Sequence, residues 1–410
     1  MSRVSAPRGT FDILPEQAAA RARIESVVRE LLEPAGYGRI ETPTFESTEL
    51  FARGVGESTD IVQKEMYSFD DGGGRSLTLR PEGTAPVCRA YVEHGMHKQP
   101  LPVRLYYLSS FFRAERPQAG RHRQFWQLGI EALGSDAPEV DAETIVLLAR
   151  ILERIGVTGA RLRLSSLGSP DTRAAYRDEL TPYLREHAGR LAPAVRERIE
   201  LNPLRAFDST DPGTQEVMLD APRLLERLNA EDAEHFAAVR GLLDRAGVAY
   251  EVDSTLVRGL DYYTRTVFEY TSDALGSQSG VGAGGRYDGL VEALGGPPTP
   301  GIGWAAGIER MLLAAGEMPT EQRRPDLYIG FEGDGADAFA LLCAARAAGL
   351  AAQMELMGRS RKGQQKQAER LGARFLGRVE GDSVHLRDMA TGGEETIASQ
   401  NLVERVSAAA

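Results

Sequence analysis

Cysteine is nearly missing from this 410-residue chain; only Cys88 and Cys343 occur, far apart. Two distant thiols exclude a disulfide framework and a CxxC metal site, and they fit a reducing compartment. Long apolar runs are missing too, so no segment has the composition of a bilayer span. The opening stretch "MSRVSAPRGTFDILPEQ" lacks the apolar centre of a secretory signal. The expectation is a cytoplasmic protein with no membrane attachment. Basic charge is in deficit: 48 Lys and Arg face 59 Asp and Glu, a net charge of −11. That balance argues against indiscriminate nucleic-acid binding, although a local basic face could still hold a polynucleotide. No GxxxxGK[ST] is present, which disfavours a Walker-type ATPase. Internal repeats are lacking as well.

What is present reads as two or three domains, because the chain is too long for one ordinary core. An amphipathic helix starts near Pro15, carries Ile24, Val27, Val28, Leu31 and Leu32 on one stripe, and ends at Gly36. Strand signals follow in "GRIETPTF", "SLTLR", "VRLYYLSSFFRAE" and "RQFWQLGIEAL", joined by turn-like loops. Neighbouring strands with such connections favour a mostly antiparallel sheet. From about residue 170 to 247 the chain becomes helical, charged and poor in β-branched residues, as a helical insertion into a sheet domain would be. After "EQRRP" it restarts as alternating strand and helix, the pattern of a small α/β domain.

Four stretches carry polar groups that core packing does not call for. In "RGLDYYTRTVFEY", residues 258 to 270, strand alternation places Arg258, Leu260 and Tyr262 on one face and Asp261, Tyr263 and Arg265 on the other. They are either a solvated ion-pair ladder or groups that meet a ligand. In "SSFFRAERPQAGRHRQFWQLGIEALG" alternation puts Arg113 with Glu115, and Gln127, Gly129 and Glu131 on one face opposite Trp126, Leu128 and Ile130. Gly129 leaves room for something small to lie on the sheet. In "TLRPEGTAPVCRA" a helix begins near Thr84, and Glu82 is either a partner of its dipole or part of a pocket. "GVGAGGRYDGLVEALGG" and "PGIGWAAGIERML" combine glycines that permit close approach with Arg310, whose guanidinium could stack on a base or hold a phosphate. Glu93, His94 and His97 read as solvated groups at a helix end, and no metal site is expected.

Together these stretches resemble the class II aminoacyl-tRNA synthetases. "GYGRIETPTFE" is similar to motif 1, with its proline at Pro43; "FRAERP…RQFWQLGIEALG" is similar to motif 2, and "GIGWAAGIERML" to motif 3. "LVRGLDYYTRTVFEY" and "GGRYDGLVEALGG" resemble the two signatures peculiar to the histidyl-tRNA synthetase family, and "PRGTFDILP" and "LRPEGTA" belong to the same pattern.

The resemblance implies an α+β catalytic domain on a mostly antiparallel sheet, a helical insertion and a C-terminal α/β anticodon-binding domain. The corresponding spans are 1–165 and 248–322 for the catalytic domain, 166–247 for the insertion and 326–410 for the anticodon domain. It implies ligation of L-histidine to tRNA(His) through a histidyl-adenylate, with ATP as substrate, Mg2+ held mainly through the ATP phosphates, and a homodimer formed by motif 1. The residues it implies for histidine are Glu82, Gly83, Thr84, Arg113, Gln127, Glu131, Arg258, Tyr262 and Tyr263, with Arg113 and Arg258 catalytic. For ATP they are Arg113, Glu115, Arg121 and Arg310; for tRNA, Gln118, Arg121, Arg359, Lys362 and Lys366. Between Met357 and Arg378 seven residues are basic and one acidic, a local charge of +6 in an acidic chain. Two departures stand out: Trp126 occupies a position where the family commonly has a smaller or more polar ring, and the segment after the last predicted helix is several residues short. The latter puts the final strands of the anticodon domain in question.

Overall fold

In the computed structural model, residues 4–56, 59–276, 279–316 and 324–409 are described. The chain divides into two compact units, Met1–Pro319 and Thr320–Ala410. No helix among the described residues is long and apolar enough to cross a membrane.

The first unit contains strands β1 (Gly38–Arg39), β2 (Phe45–Ser47), β3 (Tyr67–Asp70), β4 (Ser76–Leu79), β5 (Val103–Phe112), β6 (Gln124–Leu133), β7 (Arg161–Ser166), β8 (Tyr250–Val252), β9 (Thr264–Thr271), β10 (Gly280–Arg286) and β11 (Gly301–Gly307). Eight of these form one sheet in the order β1-β5-β6-β11-β10-β9-β7-β8, while β2-β4-β3 form a small one. The large sheet is antiparallel from β5 to β7 and parallel only at its two margins. This is the mostly antiparallel α+β architecture expected from the sequence.

Side-chain alternation decides what each face of the sheet does. One face sends Tyr106, Leu128, Ile130, Phe268 and Trp304 into the main core. The helices that cover it repeat their apolar residues every three or four positions. Pro15–Leu32 buries Ile24, Val27, Val28 and Leu32, and Pro138–Arg154 buries Ile145, Leu148 and Ile151. The first of these opens on a proline, whose missing N–H costs nothing at a helix start. Trp126 packs beside this core with the Arg21 guanidinium 5.7 Å from its ring, so its unusual identity is a packing matter. The opposite face, with Tyr107, Gln127, Gly129 and Glu131, remains for the site.

The charged helical stretch does not behave as one piece. Helix Ala230–Arg245 sends Phe236, Val239 and Leu243 into the main core. The helices from Pro170 to Glu226 instead gather around Tyr176, Leu180, Leu184 and Val217 as a lobe with its own cluster.

Residues 258–263 are not a strand. The backbone turns there, and β9 begins only at Thr264. Between β9 and β10 the register skips at Arg265, which takes φ +42° while its guanidinium pairs with Glu231 and Asp232 of helix Ala230–Arg245. The expected alternation of Arg258, Leu260 and Tyr262 against Asp261 and Tyr263 is therefore corrected: the consecutive Tyr262 and Tyr263 stand together, their rings 4.8 Å apart, while Leu260 and Asp261 line the other side, because a turn, not a pleat, aims them. Likewise β5 stops at Phe112, so Arg113 and Glu115 meet beyond the strand, 3.7 Å apart.

The second unit holds β12 (Leu327–Gly330), β13 (Ala352–Met354), β14 (Phe375–Glu380), β15 (Ser383–Asp388) and β16 (Glu394–Ala398) in the order β13-β12-β14-β15-β16. Its first three strands pair in parallel and its last three antiparallel. The short C-terminal segment thus still forms a complete meander. The closing helix Leu402–Ser407 buries Leu402 and Val406 against it.

Candidate active site

Helix Thr84–Glu93 opens toward the free face of the large sheet, with Gly83 as its N-cap. The buried Glu82 carboxylate accepts from the backbone N–H groups of Thr84 (2.8 Å) and Ala85 (3.0 Å), satisfying two of the helix's orphan donors. So Glu82 is the helix-dipole partner, and it also faces the pocket, where the Arg113 charge acts on it. The Thr84 hydroxyl donates to Glu131 Oε1 at 2.8 Å.

Glu131, on β6, is fully buried. Besides Thr84, the Tyr107 hydroxyl donates to Oε1 at 3.4 Å and the Tyr287 hydroxyl to Oε2 at 2.5 Å. Burial outweighs these three donors and pushes the carboxyl up to about 8. Tyr262 and Tyr263 complete the pocket, their rings 4.8 Å apart, with Tyr262 5.8 Å from Tyr287. Burial raises both phenols, so they stay protonated, and Glu131 acts on each of them.

Tyr107 and Tyr287 went unnoticed in the sequence. Tyr107 occupies the space over Gly129: a Cβ on Gly129 would lie 2.2 Å from its ring, and one on Gly83 2.4 Å. The room at Gly129 is thus filled by protein, a correction to the idea that a ligand lies there. Gly129→Ala should drive Tyr107 out of this slot and cost about 1–3 kcal/mol of stability, the usual toll of overpacking. Thermal melting checks the fold, and the histidine KM should rise with it because Tyr107 carries one of the hydroxyls on Glu131.

Toward the other end of β6, Gln127 opens into a cleft also lined by Arg113, Glu115, Arg121, Glu269 and Arg310. Gln127 and Glu131 share a face four residues apart, about 13 Å along the strand. Cleft and pocket thus lie on one face of the sheet, with the Tyr107 ring over Gly129 between them. Arg113 is aimed by donation from Nε to the Pro81 carbonyl (2.9 Å) and by the Phe125 ring, 5.3 Å away. Arg121 pairs with Glu115 at 3.1 Å. Burial, then repulsion from Arg121, lowers the Arg310 guanidinium, an environment that an anion would relieve. Its helix, Ile308–Ala315, is anchored by Glu309, which takes Arg21 and the Trp126 backbone N–H. Arg258 reaches Glu269 at 3.7 Å and also acts on Tyr263, which places it between cleft and pocket.

Two polar atoms here are buried without a partner: Gln127 Oε1, an acceptor, and Arg258 Nε, a donor. Gln118 sits apart, in a tight turn where its backbone exchanges hydrogen bonds with Arg121. In the second unit, Arg359 is taken by the buried Glu355 (3.0 Å) and Arg361 by Glu332 and Glu380. Lys362, Lys366 and Arg370 are exposed and follow one another at four-residue spacing on helix Arg361–Leu371.

A family model, "Histidyl-tRNA synthetase", matches residues 9–311. A histidine–tRNA ligase of Desulforamulus reducens is 47% identical over 407 residues, covering 97% of either chain. One from Halorhodospira halophila is 51% identical over 371 residues, 90% of this chain and 88% of the other. The crystal structure of the apo histidyl-tRNA synthetase of S. aureus superposes with a TM-score of 0.83 at 38% identity, covering 98% of this chain and all of that one. The chain belongs to the histidyl-tRNA synthetase family.

Proposed function

We propose that this site joins L-histidine to tRNA(His) in two steps. The histidine carboxylate first attacks the α-phosphorus of ATP to give histidyl-adenylate and diphosphate; the terminal ribose of the tRNA then takes the histidyl group. The observation that carries this reading is the pair of orphaned atoms, Gln127 Oε1 and Arg258 Nε. A buried acceptor without a donor suits an ammonium group, and a buried guanidinium N–H suits a carboxylate or phosphate oxygen.

The imidazole belongs in the pocket, with its N–H on Glu131 and its bare nitrogen on the Tyr263 hydroxyl. Glu82, Thr84 and Gln127 surround the α-ammonium. Arg113 and Arg258 face the charge that develops on the α-phosphate, and planar guanidinium groups bind two oxygens at once. Arg310 covers ATP from the other side. Glu115 is held by Arg113 and Arg121, and Glu269 by Arg163 and Arg258. With Glu309 taken by Arg21 as well, all three carboxylates of the cleft are already paired, and Mg2+ would be carried mainly by the ATP phosphates.

The turn at Gln118–Arg121 would meet the acceptor end of the tRNA. Lys362 and Lys366 would meet phosphates of its anticodon arm, with Arg370 extending their stripe; Arg359, occupied by Glu355, contributes less than its charge suggests. The enzyme would act as a homodimer in the cytoplasm. Amino-acid-dependent pyrophosphate exchange tests the reading: exchange with histidine alone is expected, whereas exchange with another amino acid, or with none, overturns it.

A further inference from the structure

The turn that carries Arg258, Tyr262 and Tyr263 has no ladder hydrogen bonds of its own, since pairing with β10 starts at Thr264. Its outer side backs onto a cavity of about 390 Å³ lined by Arg173, Pro203, Leu204, Leu260 and Asp261. The Tyr263 ring is buried in the lobe's own cluster, with Leu260 and Tyr262 packed against it, while polar contacts hold the backbone of the turn, and two of them come from the helical lobe. Arg173, on helix Pro170–Glu186, donates through Nη1 to the Tyr263 carbonyl at 2.7 Å and to the Asp261 carbonyl at 3.5 Å. Asn202 donates through Nδ2 to Asp261 Oδ1 at 2.9 Å. On the other flank the Asp261 N–H donates to the Val55 carbonyl at 3.3 Å. A Cβ on Gly56 would come within 2.6 Å of the Asp261 carboxylate.

We propose that Arg173 and Asn202 are positioning residues for histidine: the helical lobe sets the aim of Tyr263 by holding the Asp261–Tyr263 backbone. This rests on the assignment of Tyr263 to the imidazole made above. The two carbonyls accept from one guanidinium, whose fork geometry links their spacing to the position of the helix. A change at Arg173 frees the carbonyl of the residue whose hydroxyl binds the ligand. It leaves Arg113, Arg121 and Arg310 in place. The effect should fall on histidine and spare ATP.

Pyrophosphate exchange by R173M and N202A, with histidine and ATP varied separately, reads this out. Loss of a buried hydrogen bond to a charged donor should raise the histidine KM about tenfold, with the ATP KM within about twofold of the parent. R173K, which can still reach the Tyr263 carbonyl, should recover part of the loss. N202D places two carboxylates together and should weaken histidine binding; N202D/D261N restores one donor and one acceptor and should recover it. That rescue separates positioning from a general loss of stability, which melting of each variant monitors. The proposal is overturned if the histidine KM of R173M matches the parent's, if both KM values rise together, or if the double variant shows no recovery. Y263F controls the underlying assignment. An unchanged histidine KM in Y263F defeats that assignment, whereas an impaired Y263F beside an unimpaired R173M defeats the positioning role alone.

Discussion

Arg258→Ala should slow histidyl-adenylate formation about 10²–10³-fold, because it removes one pre-placed cation from a phosphate that gains charge in the transition state. The structure makes this a clean experiment. Glu269, which Arg258 approaches at 3.7 Å, also has Arg163 at 3.6 Å, so its charge remains compensated in the variant. Arg258 lies at the junction of cleft and pocket, and its Nε has no protein partner to lose. The loss should appear mainly in the rate of the first step, measured by single-turnover formation of the adenylate at saturating substrates. The histidine KM should change less, since an interaction made chiefly in the transition state lowers kcat. An adenylate rate within about threefold of the parent would exclude Arg258 from the chemistry.

The second large effect is expected at Glu131. In Glu131→Gln an NH2 group replaces one acceptor oxygen in a cavity where Thr84, Tyr107 and Tyr287 all donate. At least one hydroxyl must turn, and the imidazole N–H loses its best acceptor. We expect kcat/KM for histidine to fall about 10²-fold, the scale of leaving a buried donor without its acceptor. The ATP KM should hold. Stability offers an independent readout. The carboxyl rises from its ordinary 4.5 to about 8 in the folded chain, chiefly through burial. The folded state therefore keeps a proton that the unfolded chain gives up. The resulting stabilisation is full below pH 4.5 and fades as the pH climbs through about 8. Glutamine cannot titrate. Melting curves of parent and E131Q, compared from pH 4.5 to 8, should differ by this slope; parallel curves would show that Glu131 is charged throughout.

How much of this could be read from the residues varied with the local physics. The parity of β6 was legible because Leu128 and Ile130 are apolar while Gln127 and Glu131 are not, and a period of two cannot be mistaken over that length. The turn at 258–263 was not legible. Its residues alternate as a strand's would, and only partners distant in sequence, Arg173 and Asn202, hold it in another shape. Tyr107 was hidden because tyrosine in an apolar strand looks like core. The available signal was Gly129 itself, since a glycine within a strand asks what approaches it. Within the basic tract around Lys362 the count of charges did not reveal that Arg359 is paired, because Glu355, its partner, stands just outside the window from 357 to 378. The final strands were in question because a shortened segment leaves little length to spare, yet β15 and β16 need only tight turns.

The strand order has a consequence for synthesis. β6 ends at Leu133, and β11, its partner on one side, begins only at Gly301. A ribosome takes on the order of ten seconds to make the intervening stretch. Throughout that interval the nascent chain carries an unpaired edge, with Gln127 and Glu131 already on it, and the lobe from Pro170 onward emerges before the edge can be closed.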